Sequence, residues 1–227
     1  ANHAGAAEAF DAFLKAHADH PLAPEAFYKL GWCARHANQP AEARRHFETV
    51  VRQYPQSPPA AESALRAGQS CEELQDTAGA AENYAAAVKL GGEGEFARQG
   101  LLALAALKIA AGDAEAALAS AEEFARRFPA DRLLPFARLY RGEALLRLER
   151  FEEALKAYES VGADEASAAA DATFGRAWCL RKLGRPGEAA ALFDQAAAGK
   201  GARAAEAAFL AARCREEAGD FAAARDS

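Results

Sequence analysis

No methionine occurs in the 227 residues, and there are only four cysteines. Four thiols in a chain of this length are too few for a disulfide-stapled scaffold. β-Branched residues are scarce, which argues against a sheet protein. No run of 18 or more apolar residues exists, so no segment reads as a membrane-spanning helix. A basic excess is missing too. A formal net charge of −6 and a pI near 5.5 lack the electrostatic footprint of a general nucleic-acid binder. The chain starts Ala1-Asn2-His3, with neither the basic nor the apolar region of a secretory leader. That start reads as a removed leader or an excised piece.

Catalytic and metal motifs are equally hard to find. No C-x-x-C, H-E-x-x-H or zinc-finger spacing is present. All five histidines (His3, His17, His20, His36 and His46) lie in the first 46 residues and read as solvated helix-end side chains. Gly91-Gly92-Glu93-Gly94 has no Lys-Ser/Thr after it and no strand before it, so it reads as a loop and not a phosphate cradle. No Ser–His–Asp or Cys–His set can be assembled. The chain therefore reads as a protein that is not an enzyme and holds no cofactor or metal.

What is present is alanine, 65 residues by count, and periodicity. Alanine has the best helix propensity but buries little area, so close-packed helices in thin layers are expected instead of one thick core. An Ala four residues before an aromatic recurs at Ala6–Phe10, Ala43–Phe47, Ala80–Tyr84, Ala154–Tyr158 and Ala189–Phe193. Ala117 and Ala121 fill the missing place. The step is 37 residues from Ala6 to Ala154, then 35 to Ala189 and 35 to Ala224. A second register of small residues, Gly31, Gly68, Ala105, Gly142, Ala177 and Ala212, keeps the same intervals.

Each unit reads as two helices. One set, A, covers residues 24–37, 60–75, 95–111, 132–148, 166–183 and 202–218. The other, B, covers 3–18, 40–54, 77–90, 114–128, 151–161, 186–198 and 221 onward. Turn chemistry separates them at Asn38-Gln39-Pro40, Gly112-Asp113, Gly184-Arg185-Pro186 and Gly219-Asp220. Cys33, Cys179 and Cys214 share one slot on the first, fifth and sixth A helices, with Cys71 one residue further along on the second. They read as small buried hydrophobes too far apart to bridge.

Phe27-Tyr28-Lys29-Leu30-Gly31-Trp32, then Ala43-x3-Phe47-x2-Val50 with Pro55, and Gly219-Asp220-Phe221 carry a resemblance. The chain resembles the tetratricopeptide repeat family along essentially its whole length. It departs from the pattern where Arg141 and Arg176 occupy the usual Leu slot, which predicts rotated or loosened helix A packing there. The resemblance implies an all-α fold: a right-handed solenoid of stacked antiparallel helix pairs, about six repeats of 35–37 residues, in a single array over 1–227. Partial repeats at both ends imply a fragment of a longer array. The period of 37 and the long Tyr54-Pro55-Gln56-Ser57-Pro58 loop resemble bacterial envelope members, of the Tol-Pal-associated periplasmic coordinator and outer-membrane assembly lipoprotein types.

In this family the A helices line a concave face that takes a protein or peptide. Counting the small residue as slot eight, slots 2, 5, 9, 12 and 13 project inward. Carried onto this sequence, the partner-binding candidates are Tyr28, Trp32, Arg35, Leu65, Gln69, Leu102, Phe136, Leu139, Glu143, Phe174, Trp178, Arg181, Phe209 and Arg213. Both tryptophans fall in slot nine. Slot five is always apolar, which fits either internal packing between A helices or a groove. The expected function is an interaction scaffold in a bacterial envelope complex, periplasmic or envelope-associated, with a cytoplasmic location as the alternative. The expected partner is a protein or peptide, with no nucleic acid and no direct membrane insertion. Two alternatives remain: a regulatory or substrate-docking region of a larger enzyme or signalling protein, and a scaffold that assembles into a homo-oligomer through exposed end repeats.

Overall fold

The computed structural model describes residues 3–162, 166–198 and 203–219. All regular structure among them is helical. The chain divides into two compact units, residues 1–107 and 108–227. The first holds α1 (His3–Ala16), α2 (Ala23–His36), α3 (Pro40–Gln53), α4 (Ala60–Glu73), α5 (Thr77–Gly91) and most of α6 (Glu95–Ala110). The second holds α7 (Ala114–Arg127), α8 (Leu134–Arg147), α9 (Phe151–Glu159), α10 (Ala166–Lys182), α11 (Pro186–Ala197) and α12 (Ala204–Glu217). These bounds lie within two residues of the sequence reading throughout. The helix expected from 221 onward falls outside the described residues.

The A-to-B turns share one geometry. Asn38, Gln75, Gly112, Glu149, Gly184 and Gly219 all have φ between 55° and 83°. In each of the first five turns the residue after it donates its N–H five residues back, as Gln39 does to Ala34 O at 3.0 Å and Arg150 to Leu145 O at 2.9 Å. These are Schellman closures, which satisfy the last helical carbonyls. Of the B helices that follow, α3 and α11 start on Pro40 and Pro186, α5 and α7 on an aspartate cap, and α9 follows Arg150, which makes no side-chain cap bond. Asp76 accepts from Gly79 N at 2.9 Å, and Asp113 from Ala116 N at 3.2 Å. Proline loses nothing where the first N–H has no helical partner.

Packing within three of the hairpins, α2–α3, α4–α5 and α8–α9, rests on one small-against-aromatic contact. A Cβ placed on Gly31 would lie 2.5 Å from Phe47 Cε1, and one on Gly68 2.5 Å from Tyr84 Cε1. In the second unit a Cβ on Gly142 would lie 2.6 Å from Tyr158 Cδ1, and one on Gly175 2.4 Å from Tyr158 Cζ. A bare Cα lets the ring lie flat on the A-helix backbone, which recovers packing that alanine side chains cannot supply. Phe47, Tyr84, Tyr158 and Phe193 are buried accordingly.

Several expectations change here. Arg141 and Arg176 do not loosen α8 and α10, since Gly142, Ala144, Ala177 and Cys179 stay buried. Arg141 turns to Glu122 Oε1 at 3.1 Å, and a long aliphatic stem can replace leucine's cover while its head stays wet. Gly91 belongs to α5, so the glycine loop is shorter than it reads. His46 is not solvated but buried, because it sits one residue before Phe47 in the α3 face that packs inward. The four cysteines are buried and free, with burial raising each thiol above its ordinary pKa, Cys179 to about 12.

Candidate functional site

In the first unit the structure gathers Tyr28, Trp32, Arg35 and Gln69 on α2 and α4. Trp32 is half-buried, its ring edge-to-face with Phe47 at 6.3 Å and with Tyr28 at 6.4 Å. Two guanidiniums face it: Arg66 with Cζ 5.1 Å from the ring centroid, and Arg35 at 5.8 Å. Side chains of α4 hold both, Arg35 from across the helix pair and Arg66 from within its own helix. Arg35 donates to Gln69 Oε1 at 3.1 Å and Glu73 Oε1 at 3.2 Å, and Arg66 to Gln69 Oε1 at 3.2 Å and Glu62 Oε1 at 3.1 Å. A guanidinium over an indole face gains from the ring's quadrupole as well as from its carboxylate. Of the slot-five residues in this unit, Leu65 is buried, and Tyr28 and Leu102 are half-buried.

The second unit repeats the arrangement. Trp178 is half-buried and edge-to-face with Phe193 at 6.1 Å. Arg181 lies 5.3 Å over the Trp178 ring and donates to both Glu217 oxygens, Nε at 3.0 Å and Nη2 at 2.6 Å. That pairing holds the Glu217 carboxyl below its ordinary pKa. Phe174 is buried against Phe193, with Arg203 4.9 Å over its ring. Phe136 and Leu139 pack onto the core of this unit. Glu143 accepts from Tyr158 Oη at 3.3 Å and from Arg147 Nε at 3.0 Å. Phe209, at 63% exposed, and Arg213 are the candidates most open to solvent.

Slot nine and the B-helix aromatic are coupled. Where the aromatic is phenylalanine (Phe47, Phe193), slot nine is tryptophan and the rings meet edge-to-face. Where it is tyrosine, a helix A glutamate takes the hydroxyl: Glu72 for Tyr84, Glu143 for Tyr158. Burial and those glutamates push both phenols above their ordinary pKa. Two contributors escaped the sequence reading, Arg66 and Arg203, because neither sits in a slot the family assigns to partners. For Arg66 the signal was spacing, since it falls 34 residues after Trp32, one step of the repeat less a helical turn. Among the described residues no group of three or more His, Cys, Asp or Glu is placed to hold a metal ion.

Models of the tetratricopeptide repeat match residues 1–58, 37–95, 102–168, 141–202 and 180–227. The chain belongs to the tetratricopeptide repeat family. No curated protein matches it. Among solved structures, this tetratricopeptide array is similar to a tetratricopeptide repeat protein from Parabacteroides merdae (16% identity, TM-score 0.62, covering 99% of this chain and 86% of that one). It is also similar to MamA protein (15% identity, TM-score 0.64, 89% and 97%) and to yeast Tom70 (17% identity, TM-score 0.52, 98% and 53%). At these identities the likeness is one of fold. Tetratricopeptide arrays generally act as protein-interaction scaffolds. No helix among the described residues is long and apolar enough to cross a membrane.

Proposed function

We propose that this tetratricopeptide array is a non-catalytic scaffold that binds a protein or peptide partner on the A-helix face of each unit, with Trp32 and Trp178 as anchors. The observation that carries the reading is the recurrence of one construction in both units. A half-buried tryptophan lies beneath an arginine that the next A helix fixes through a glutamate, Trp32–Arg35–Glu73 and Trp178–Arg181–Glu217. Tryptophan and arginine held in place are the side chains that dominate binding hot spots, since little rotamer freedom remains to be lost on contact. The likeness of the Tyr54–Pro58 loop and the 37-residue step to bacterial envelope members supports a periplasmic or envelope-associated setting.

The test is site-specific photo-crosslinking in cells of the source organism. A benzoyl-phenylalanine is placed at Lys182 or Arg213 on A helices, and at Glu115 or Glu152 on B helices. The reading expects one discrete protein adduct from A-helix positions and none from B-helix positions. Adducts of equal yield from both sets, or from B helices alone, would remove it.

A further inference from the structure

The repeat gives α1 the register of the other B helices but not their cover. Ala6 and Phe10 stand where α3, α5, α9 and α11 carry Ala43–Phe47, Ala80–Tyr84, Ala154–Tyr158 and Ala189–Phe193. Those four alanines are 0% exposed and their aromatics at most 3%. Ala6 and Phe10 are only half-buried, and no residue of α1 is fully buried. Phe47, Tyr84 and Tyr158 lie on the glycine of the A helix before them, and Phe193 shares a cluster with Ala177, the small residue of α10. Among the described residues α1 packs mainly on α2, the A helix that follows it. Ala6 and Phe10 are left bordering a cleft of about 390 Å³ whose other wall is Tyr28, Lys29 and Trp32.

The neighbouring pair of A helices shows what such a place holds. Trp32 of α2 faces Arg66 of α4, whose Cζ is 5.1 Å from the ring centroid. Glu62, one turn back on α4, holds that guanidinium at 3.1 Å. Lys29 has the place of Arg66 one repeat earlier, and Glu25 that of Glu62. The two are 3.2 Å apart, and Lys29 is 46% exposed beside the cleft. A ring lying there meets a cation as Trp32 meets Arg66, with the same gain from its quadrupole.

We propose that α1 and α2 form a docking surface for an amphipathic helix of a partner protein, which sets a glycine or alanine on Phe10 and, at the next residue, an aromatic ring beside Lys29. The two demands fall on adjacent residues, as they do in Gly31-Trp32, which meets Phe47, and Ala177-Trp178, which meets Phe193. A larger side chain at the first position would hold the helix away from the Phe10 ring and forfeit the contact. This surface is carried by α1 as much as by α2, so the inference goes beyond the reading of Trp32 and Trp178 as anchors. Its failure would leave the crosslinks expected at Lys182 and Arg213, in the other unit, as they stand.

The probe is a fluorescein-labelled peptide of residues 22–37, the protein's own helix of this type, with Cys33→Ser to prevent oxidation. It is titrated with the full chain by fluorescence anisotropy. Saturable binding is expected at about 100 µM or below, since a short helix must be ordered on contact. Gly31→Leu in the peptide should weaken binding at least about tenfold, and so should Phe10→Ala in the chain. Lys29→Ala in the chain, at a partly exposed position, should weaken it about threefold. Should Phe10→Ala unseat α1, the peptide variant and Lys29→Ala carry the test. No saturation up to about 1 mM, equal binding of the Gly31→Leu peptide, or unchanged binding in the folded chain variants would overturn the proposal. So would a dimer in sedimentation that Phe10→Ala disperses, because a second copy would then cover this face.

Discussion

Arg181 and Glu217 join α10 to α12 through two parallel hydrogen bonds, of 3.0 and 2.6 Å, while the guanidinium lies over Trp178. One arginine thus links two successive A helices and caps an indole. The glutamate is partly exposed, so the ion pair alone contributes little, about 0–1 kcal/mol. A double-mutant cycle of Arg181→Ala and Glu217→Ala by urea unfolding should return a coupling in that range. Arg181 holds Glu217 below its ordinary pKa of 4.5. That contribution is present above about pH 4.5 and is lost as pH falls through the lowered value, so the coupling should vanish in acid.

The small-residue slot makes a sharper demand. Gly142→Ala forces a Cβ to 2.6 Å from the buried Tyr158 ring, which Gly175 also approaches closely. The cost should be about 1–3 kcal/mol in urea unfolding. Gly187→Ala, in the first turn of α11 with open space around it, should instead stabilise by about 0.5 kcal/mol.

Three A-to-B turns place a side chain in the left-handed region. Asn38 tolerates it, but Gln75 at φ 60° and Glu149 at φ 57° do not. Gln75→Gly and Glu149→Gly should each raise stability by about 0.5–1 kcal/mol, less the entropy glycine adds to the unfolded chain. Gly184→Ala, at φ 72°, should lower it. Thermal unfolding of the three single variants checks the sign.

Helix positions were legible because the repeat sets them: Ala43–Phe47 and Ala154–Tyr158 mark B helices whatever lies between. The left-handed turn position was only half legible. Glycine announces it at Gly112, Gly184 and Gly219, but Gln75 and Glu149 adopt the same conformation because the Schellman hydrogen bonds outweigh their local preference. Slot nine was found at Trp32 and Trp178, yet its coupling to Phe47 and Phe193 was hidden, since it depends on a ring 15 residues away on another helix. His46 was misjudged for a related reason. Histidine carries no burial signal of its own, and only the inward turn of α3 beside Phe47 decides its fate. Family slots placed Leu65 and Phe174 with the partner face, whereas both are packed inside their units.

The tryptophan anchors are half-buried, so removing them should cost both stability and binding. Trp32→Phe and Trp178→Phe keep an aromatic against Phe47 and Phe193 while deleting the larger outer ring. Each should lower thermal stability by about 1–2 kcal/mol and leave far-UV helicity intact.

The central claim, that Trp32 and Trp178 anchor a partner, is tested most directly by calorimetric titration of the crosslinked partner against the wild-type chain, Trp32→Ala and Trp178→Ala, each at a temperature where helicity matches. An anchor worth about 2 kcal/mol or more weakens Kd about thirtyfold or more in each variant. An unchanged Kd in both folded variants would contradict the account and leave the tryptophans as packing residues alone.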